Sequence, residues 1–380
     1  MTGTLEFSDF LNSFLTSNSF SKRHLILKYF LSLLFLLSSF GSLAQQAQLT
    51  ALMRQQQVPG MQVVYTRNGH VTTYHLGLRQ NGTTQLVQDN TTFQAASLGK
   101  LVLAYTALRL HDRGLIDLNK PLLGYCPYPR LAAQPAAATI TGRMVLTHTT
   151  GLPNWAKNPL SPAWATSTLA LRYPPDSCWN YSGEGFAWLQ KTLEHITGKS
   201  FETLAQEEAF GPLRMARSSF VWRATFDTNA AAGHDKAGKP TEIRRFATAN
   251  AGFSLLTTAT DYNRFLQALL TGRGLLPATH KLLLTPATAA NRCRTPASPT
   301  DPYIAWAYGV GLATTSCGPA QWHWGNNGDF KGFFMTFPKR KESLLFLTNS
   351  ANGLQLTDDI LQLFFGPGEY RAMQWLAEDQ

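Results

Sequence analysis

Ser97-Leu98-Gly99-Lys100 sets a hydroxyl three residues ahead of an amine, and an apolar run begins at once after it. Leu101, Val102, Leu103, Ala104, Tyr105, Ala107, Leu108 and Leu110 carry that run to Arg113-Gly114. The spacing predicts a helix of about four turns, stopped by glycine. Residues three apart share a helix face, so Ser97 and Lys100 point the same way. Ser97 falls in the first turn, where unpaired backbone N–H groups favour negative charge. A serine beside an amine at such a place is one way to build an activated nucleophile. The same spacing recurs at Ser19-Phe20-Ser21-Lys22, so the weight of the motif comes from the order of the other motifs downstream in the chain.

Residues 45–57 read as a polar helical lead-in, stopped at Val58-Pro59-Gly60. Residues 61–66 alternate as a strand, Arg67-Asn68-Gly69-His70 is a hairpin turn, and residues 71–77 return as a second strand. A loop at 81–92 leads through residues 93–96 into Ser97. From 115 to about 250, helical segments alternate with proline-bearing loops. Thr260-Asp261 is expected to cap a helix over 262–270. Strands return at 304–312, 321–324, 332–337 and 343–348, with Lys339-Arg340-Lys341 as a turn, and 353–365 closes as a helix. The pattern predicts an α+β fold: one antiparallel sheet built from both ends of the chain, flanked by helices, with an all-helical lobe inserted. Residues 45–114 and 250–380 would form the α/β lobe, and 115–249 the helical one.

Apolar residues make up 44% and charged residues 15% of the 380, which suits one large domain or two interlocked ones. The formal net charge is +10 without a dense Lys/Arg run, which argues against nucleic acid as a partner. Lys22, Arg23 and Lys28 precede or open a short apolar core over 31–40, and Ser42-Leu43-Ala44 is a small-residue cleavage pattern. Residues 1–44 therefore read as an export signal, with a periplasmic or secreted mature chain and no stable membrane insertion after its removal. A signal-anchored form is the alternative. The stretch of about 20 residues ahead of Lys22 is unusual for such a signal, and a downstream start of translation would account for it.

Cys126, Cys178, Cys293 and Cys317 can form two disulfides in three pairings, or remain four buried thiols. Cys126 with Cys178, and Cys293 with Cys317, is the preferred pairing, because each pair shares a region. No cysteine cluster has zinc-ligand spacing, and no metal or organic cofactor is called for.

Five blocks stand in order: Ser97-x-x-Lys100, Leu146-Thr147-His148-Thr149-Thr150-Gly151-Leu152-Pro153, Tyr181-Ser182-Gly183, Ala251-Gly252-Phe253 with Thr260-Asp261, and His323-Trp324-Gly325. Together they resemble the class C β-lactamase-like serine hydrolases, over roughly residues 48–365. That superfamily also holds penicillin-binding-protein-like D,D-peptidases, D-amino-acid amidohydrolases and esterases. The resemblance implies a β-lactamase/transpeptidase-like fold. It implies that Ser97 forms the acyl-enzyme, that Lys100 serves as base once its pKa is lowered, and that Tyr181 shuttles a proton. Whether Lys100 or Tyr181 deprotonates Ser97 stays open. His323-Trp324-Gly325 stands where the family carries Lys-Thr-Gly. His323 would supply a cationic or hydrogen-bonding group, Gly325 room for substrate at the backbone, and Trp324 a face toward substrate. His75-Leu76-Gly77 has the same form, but His323 is the one that comes after the Tyr181 block. The backbone N–H groups of Ser97 and Asn326 would form the oxyanion hole. His148 is expected to be architectural. Trp155, Trp179, Trp322 and Phe253 either shape an apolar pocket or belong to the core.

Two departures from the family pattern matter. Tyr-x-Asn has become Tyr181-Ser182-Gly183, so the substrate-binding position at Gly183 lacks the amide that would hold a substrate carbonyl. Lys-Thr-Gly has become His-Trp-Gly, which exchanges a fixed cation for one expected to titrate near neutrality. Both weaken a β-lactamase reading and suit an esterase or peptidase. The expected function is a secreted serine hydrolase that cleaves an ester or amide of a small molecule or short D-amino-acid peptide. A cell-wall D,D-peptidase or β-lactamase is one alternative. A non-catalytic envelope binding module that keeps the fold is another.

Overall fold

The structure, a computed structural model, describes residues 42–293 and 296–378. The chain divides into two compact units, residues 1–49 and residues 50–380. In the first, residues 42–49 are helical. The export signal expected over 1–44 lies outside the described residues except for its last three, and Ser19 and Lys22 lie outside them too.

In the second unit, β1 (Gly60–Arg67) and β2 (His70–Gly77) form the expected hairpin. Its tip, Asn68-Gly69, has φ of 51° and 83°. Two successive left-handed residues make the tight turn whose twist matches the flanking strands. β3 (Phe93–Ala96) and β4 (Leu255–Thr257) pair as a separate small sheet. The remaining strands come late: β5 (Thr288–Ala289), β6 (Ile304–Trp306), β7 (Gly311–Thr315), β8 (Gly318–Asn326), β9 (Lys331–Phe337) and β10 (Glu342–Thr348). With the hairpin they make one antiparallel sheet in the order β2-β1-β10-β9-β8-β7-β6-β5. The first strands and the last strand of the chain thus lie side by side, as the sequence pattern predicts.

Helices α1 (Gly99–Asp112), α2 (Gly183–Thr197), α3 (Ala259–Thr271) and α4 (Thr357–Phe365) frame the sheet and the site. Tyr65 and Thr66 are neighbours in β1 and so point to opposite faces. On one face Thr66 Oγ1 donates to Asn263 of α3 at 3.2 Å. On the other the Tyr65 ring lies 5.0 Å from Phe364 of α4. Both faces being covered, every residue of β9 and β10 is buried. α1 is buried on all sides except at Arg109, His111 and Asp112, which makes it an interior helix rather than an amphipathic one.

Several expectations need correction. Residues 304–312 are not one strand. Gly309, at φ 87°, turns the chain, and the Ala307 N–H closes on Val310 O at 2.9 Å. A Cβ at 309 would meet Ala104 of α1 at 2.4 Å, so glycine is required where this turn packs on the interior helix. The cap of α3 is Thr258, whose hydroxyl accepts from the Asp261 N–H at 3.1 Å, not Thr260-Asp261. The cysteine pairing is Cys178 with Cys293, and Cys126 and Cys317 are free thiols. Proximity in sequence misled here, because a parallel bridge between Trp179 and Arg292 sets the two loops alongside each other. Trp179 N–H donates to Asn291 O at 2.8 Å and Cys293 N–H to Trp179 O at 3.2 Å. That leaves the two Cα atoms 5.0 Å apart, within disulfide span.

Candidate active site

β3 ends at Ala96, whose φ of 51° is left-handed for a residue with a side chain, just past a break in its pairing with β4. The chain leaves the strand there and enters α1, with Ser97 at the corner. Lys100 N–H closes on Ser97 O at 3.0 Å, so the serine sits on a short turn two residues ahead of the helix proper. The side chains still meet as predicted. Lys100 Nζ donates to Ser97 Oγ at 3.0 Å and to Gly252 O at 2.9 Å. Ser97 Oγ donates to that same carbonyl at 3.1 Å. The Ala251-Gly252-Phe253 block thereby acquires a task that its sequence did not disclose.

Lys100 is 1% exposed. Its Nζ lies 4.9 Å from the Tyr181 ring centre and 5.7 Å from that of Phe186. Burial among these rings disfavours the charged form and brings its pKa from 10.5 down to about 7. Tyr181 stands just ahead of α2, and its hydroxyl is buried without a hydrogen-bond partner. Burial pushes the phenol pKa up, and the nearby Ser97 hydroxyl draws it partly back. The two hydroxyls therefore face each other without a closed hydrogen bond.

His148, left-handed at φ 58° and fully buried, supports this corner. Its Nδ1 accepts the Ser182 N–H at 3.1 Å, and its ring lies 4.4 Å from that of Tyr181. Burial first, and then the charge of Lys100, holds it neutral. Ser182 caps α2 by accepting the Gly185 N–H at 2.9 Å.

His323, on β8, is also fully buried. Its Nδ1 lies 2.8 Å from Trp324 O, which assigns the proton to that nitrogen and leaves Nε2 as a lone pair with no partner. Burial, and after it the charge of Lys100, lowers its pKa from 6.5 to about 3. The expected cation near neutrality is thus corrected to a neutral ring. His75, which shares the motif form, sits on the edge strand β2 with Nε2 3.4 Å from the Asp89 carboxylate.

A Cβ at Gly325 would fall 2.3 Å from Ala95 O. The close approach at this glycine is therefore made by β3, the protein's own backbone. Trp324 stacks on Trp322 at 5.7 Å and lies 4.8 Å from the Tyr181 ring. Ser97 and Asn326 line one cavity of about 290 Å³, together with Asn154, Trp155, Asn158, Arg244 and Phe253. Trp324 and Gly183 are not among its walls. Trp179 and Trp322 belong to the core.

Gly183 faces another neighbour. A Cβ there would lie 2.3 Å from the Trp155 indole, so no side chain fits at 183 while that ring stays in place. Trp155 lines the cavity, one of the two places expected for it, but the anchoring of its loop was not read from the sequence. That loop is fastened to α2 by Glu184, which is wholly buried. Glu184 takes two hydrogen bonds from Arg130 at 2.7 and 3.1 Å, one from Ala156 N–H at 3.0 Å and one from Trp164 Nε1 at 2.8 Å. A carboxylate directly behind the Tyr181-Ser182-Gly183 block, at the head of an apolar helix, was the available signal.

The arrangement offers a hydroxyl, a near-neutral amine on it, and a phenol facing it. The Beta-lactamase family model matches residues 46–363. Penicillin-binding protein 4 of Amycolatopsis lactamdurans is 24% identical over 341 residues, covering 84% of this chain and 88% of its own. Lovastatin esterase of Penicillium rubens is 27% identical over 273 residues, covering 57% of this chain and 68% of its own. A solved class C β-lactamase superposes with a TM-score of 0.71 at 19% identity, over 85% of this chain and 98% of its own. Sheet, corner serine and family match all fall on the same stretch of polypeptide, and this chain belongs to the β-lactamase family of serine hydrolases.

Proposed function

We propose that the protein is an exported serine hydrolase of the esterase type, acting through an acyl-enzyme on Ser97. The observation that carries this reading is the 3.0 Å bond from Lys100 Nζ to Ser97 Oγ, made by an amine whose pKa is about 7. Near neutral pH roughly half of such amines are free base. As Ser97 Oγ bonds to the substrate carbonyl carbon, its proton turns from Gly252 O to Lys100. The carbonyl oxygen takes up the charge between the N–H groups of Ser97 and Asn326. When the tetrahedral centre collapses, the bond to the leaving oxygen breaks and that oxygen takes a proton from Tyr181, which Lys100 restores. Water then attacks the acyl carbon and gives its proton to the same pair, which passes it to Ser97 Oγ as the bond between that oxygen and the acyl carbon breaks. His323 contributes a hydrogen-bond acceptor rather than a charge, and Trp324 steadies the Tyr181 ring.

An esterase is favoured over a β-lactamase or D,D-peptidase because the fixed cation is gone and Trp155 fills the space of the motif amide. The relatives' names, a penicillin-binding protein and an esterase, cover both readings. The Cys178–Cys293 bond supports an oxidising compartment and hence export. No helix among the described residues is long and apolar enough to cross a membrane.

The purified chain should take up one fluorophosphonate group by intact mass and hydrolyse short p-nitrophenyl esters. Ser97→Ala should remove the adduct and lower turnover by at least about a thousandfold. Equal turnover in Ser97→Ala would overturn the reading and leave the binding module in its place. A chromogenic cephalosporin and a D-Ala-D-Ala peptide, run beside the esters, separate the cell-wall alternative.

A further inference from the structure

Tyr181 has to stand where its hydroxyl reaches both Ser97 and a leaving group, yet no hydrogen bond among the described residues holds that hydroxyl. The backbone on either side is fixed. Asn180 N–H donates to His148 O at 2.8 Å, and Ser182 N–H to His148 Nδ1 at 3.1 Å. The direction of the phenol is left to the rings packed around it. His148 lies against it at 4.4 Å, Trp324 at 4.8 Å and Trp179 at 6.2 Å.

The two tryptophans are the ends of two arms. Trp324 shares its face of β8 with Trp322, and the two stack at 5.7 Å. Trp322 in turn lies 6.0 Å from Trp375, edge to face. Trp179 lies 4.9 Å from that same Trp375, again edge to face. Both arms converge on one indole, carried by the short helix α5 (Ala372–Ala377). Trp375 is wholly buried. Its Nε1 donates to Asp301 at 2.9 Å. Its carbonyl accepts from Arg292 at 3.0 Å, and the guanidinium of Arg292 lies over its ring at 4.5 Å. Arg292 precedes Cys293, which is bonded to Cys178, the residue before Trp179. Trp375 is thereby fastened to the segment that holds Trp179. The family match stops at residue 363, short of α5, so this fixture is no part of the matched pattern.

We infer that Trp375 is a positioning residue for Tyr181, aiming its phenol at Ser97 through Trp179 on one side and the Trp322–Trp324 pair on the other. The inference rests on the acyl-enzyme reading above, in which Tyr181 gives its proton to the leaving oxygen. A misplacement of about 1 Å at a proton donor costs up to about a hundredfold in rate, and a ring withdrawn from the back of both arms permits such a shift.

The test measures kcat/KM for ethyl butyrate and p-nitrophenyl butyrate, which share an acyl group, after subtraction of uncatalysed hydrolysis. Ethoxide needs a proton as it leaves, whereas p-nitrophenolate departs as a stable anion. The ratio of the two values therefore reports the proton from Tyr181 and cancels any loss of folded protein. Tyr181→Phe sets the floor. Trp375→Leu keeps the position apolar but withdraws the ring, and should lower the ratio about tenfold. Trp375→Phe, which keeps a ring there, should stay within about twofold of the parent. Added to Tyr181→Phe, Trp375→Leu should lower the ratio no further. A Trp375→Leu ratio within about twofold of the parent's, or an equal fall in the Tyr181→Phe background, overturns the inference. If Trp375→Leu yields no folded protein, Asp301→Ala decides by the same limit, since it frees the indole N–H without opening the core and should lower the ratio about fourfold. If Tyr181→Phe leaves the ratio at the parent's value, the inference falls, while a fluorophosphonate adduct on Ser97 keeps the hydrolase reading. If the parent hydrolyses neither ester and takes up no fluorophosphonate, both fall.

Discussion

Lys100 shows how a single residue acquires its reactivity from where it is held. The shift from 10.5 to about 7 corresponds to roughly 5 kcal/mol against the charged amine. Because the folded pKa is depressed, that penalty on stability is full below about pH 7 and vanishes above the unfolded value. The interior packing of α1 and the bonds from Nζ to Ser97 and Gly252 offset it. Ester hydrolysis should therefore rise with pH as one proton leaves, with kcat/KM showing a limb centred near 7. A flat profile from pH 6 to 8 would assign the base to another group. At this scale the sequence was readable only where partners are close along the chain. Ser97 and Lys100 are three residues apart, and the turn that closes Lys100 N–H on Ser97 O brings their side chains together. The neutral state of His323 cannot be read from any spacing, because it is set by burial and by a lysine on another element. The fit of Trp155 against Gly183 was equally hidden, since it joins a loop to a helix start.

The loop that bears Asn154 and Trp155 has little regular structure, and Glu184 holds it to α2. Removing one partner of a buried ion pair leaves the other without compensation. Glu184→Ala strands Arg130 and frees the N–H of Ala156 and the indole of Trp164. It should cost about 3–5 kcal/mol in urea unfolding. A loss under 1 kcal/mol would mean that the loop is held by its aromatic contacts alone. Elements with strong local signals were legible before the structure: the Asn-Gly hairpin, the interior helix α1, and the apolar strands β8 to β10. β3 and β4 were not, being 4 and 3 residues long and finding each other only across the helical segments between them. The strand read over 304–312 failed for the opposite reason, since its apolar pattern runs straight through a turn that Gly309 permits.

Across the whole molecule, His148, His234 and His323 are buried and held neutral, each chiefly by burial. Their folded pKa values lie below the unfolded value of about 6.5, so the unfolded chain takes up the protons first. Stability from these rings is present above that pH and is lost as pH falls, at up to about 1.4 kcal/mol per unit for each ring. The urea midpoint should drop between pH 7 and 5.5 while the m-value holds. An unmoved midpoint would show that these rings accept protons without unfolding.

β1 pairs with β10 from Met61↔Thr348 to Arg67↔Glu342. While the chain is being synthesised, the opening hairpin has no neighbour on its inner side until the ribosome has passed residue 348. Such a long-range closure is slow to nucleate, and until it happens the polypeptide stays loose. Under the export proposed above, the chain would thread a translocation channel before it folds and would gain time from that delay.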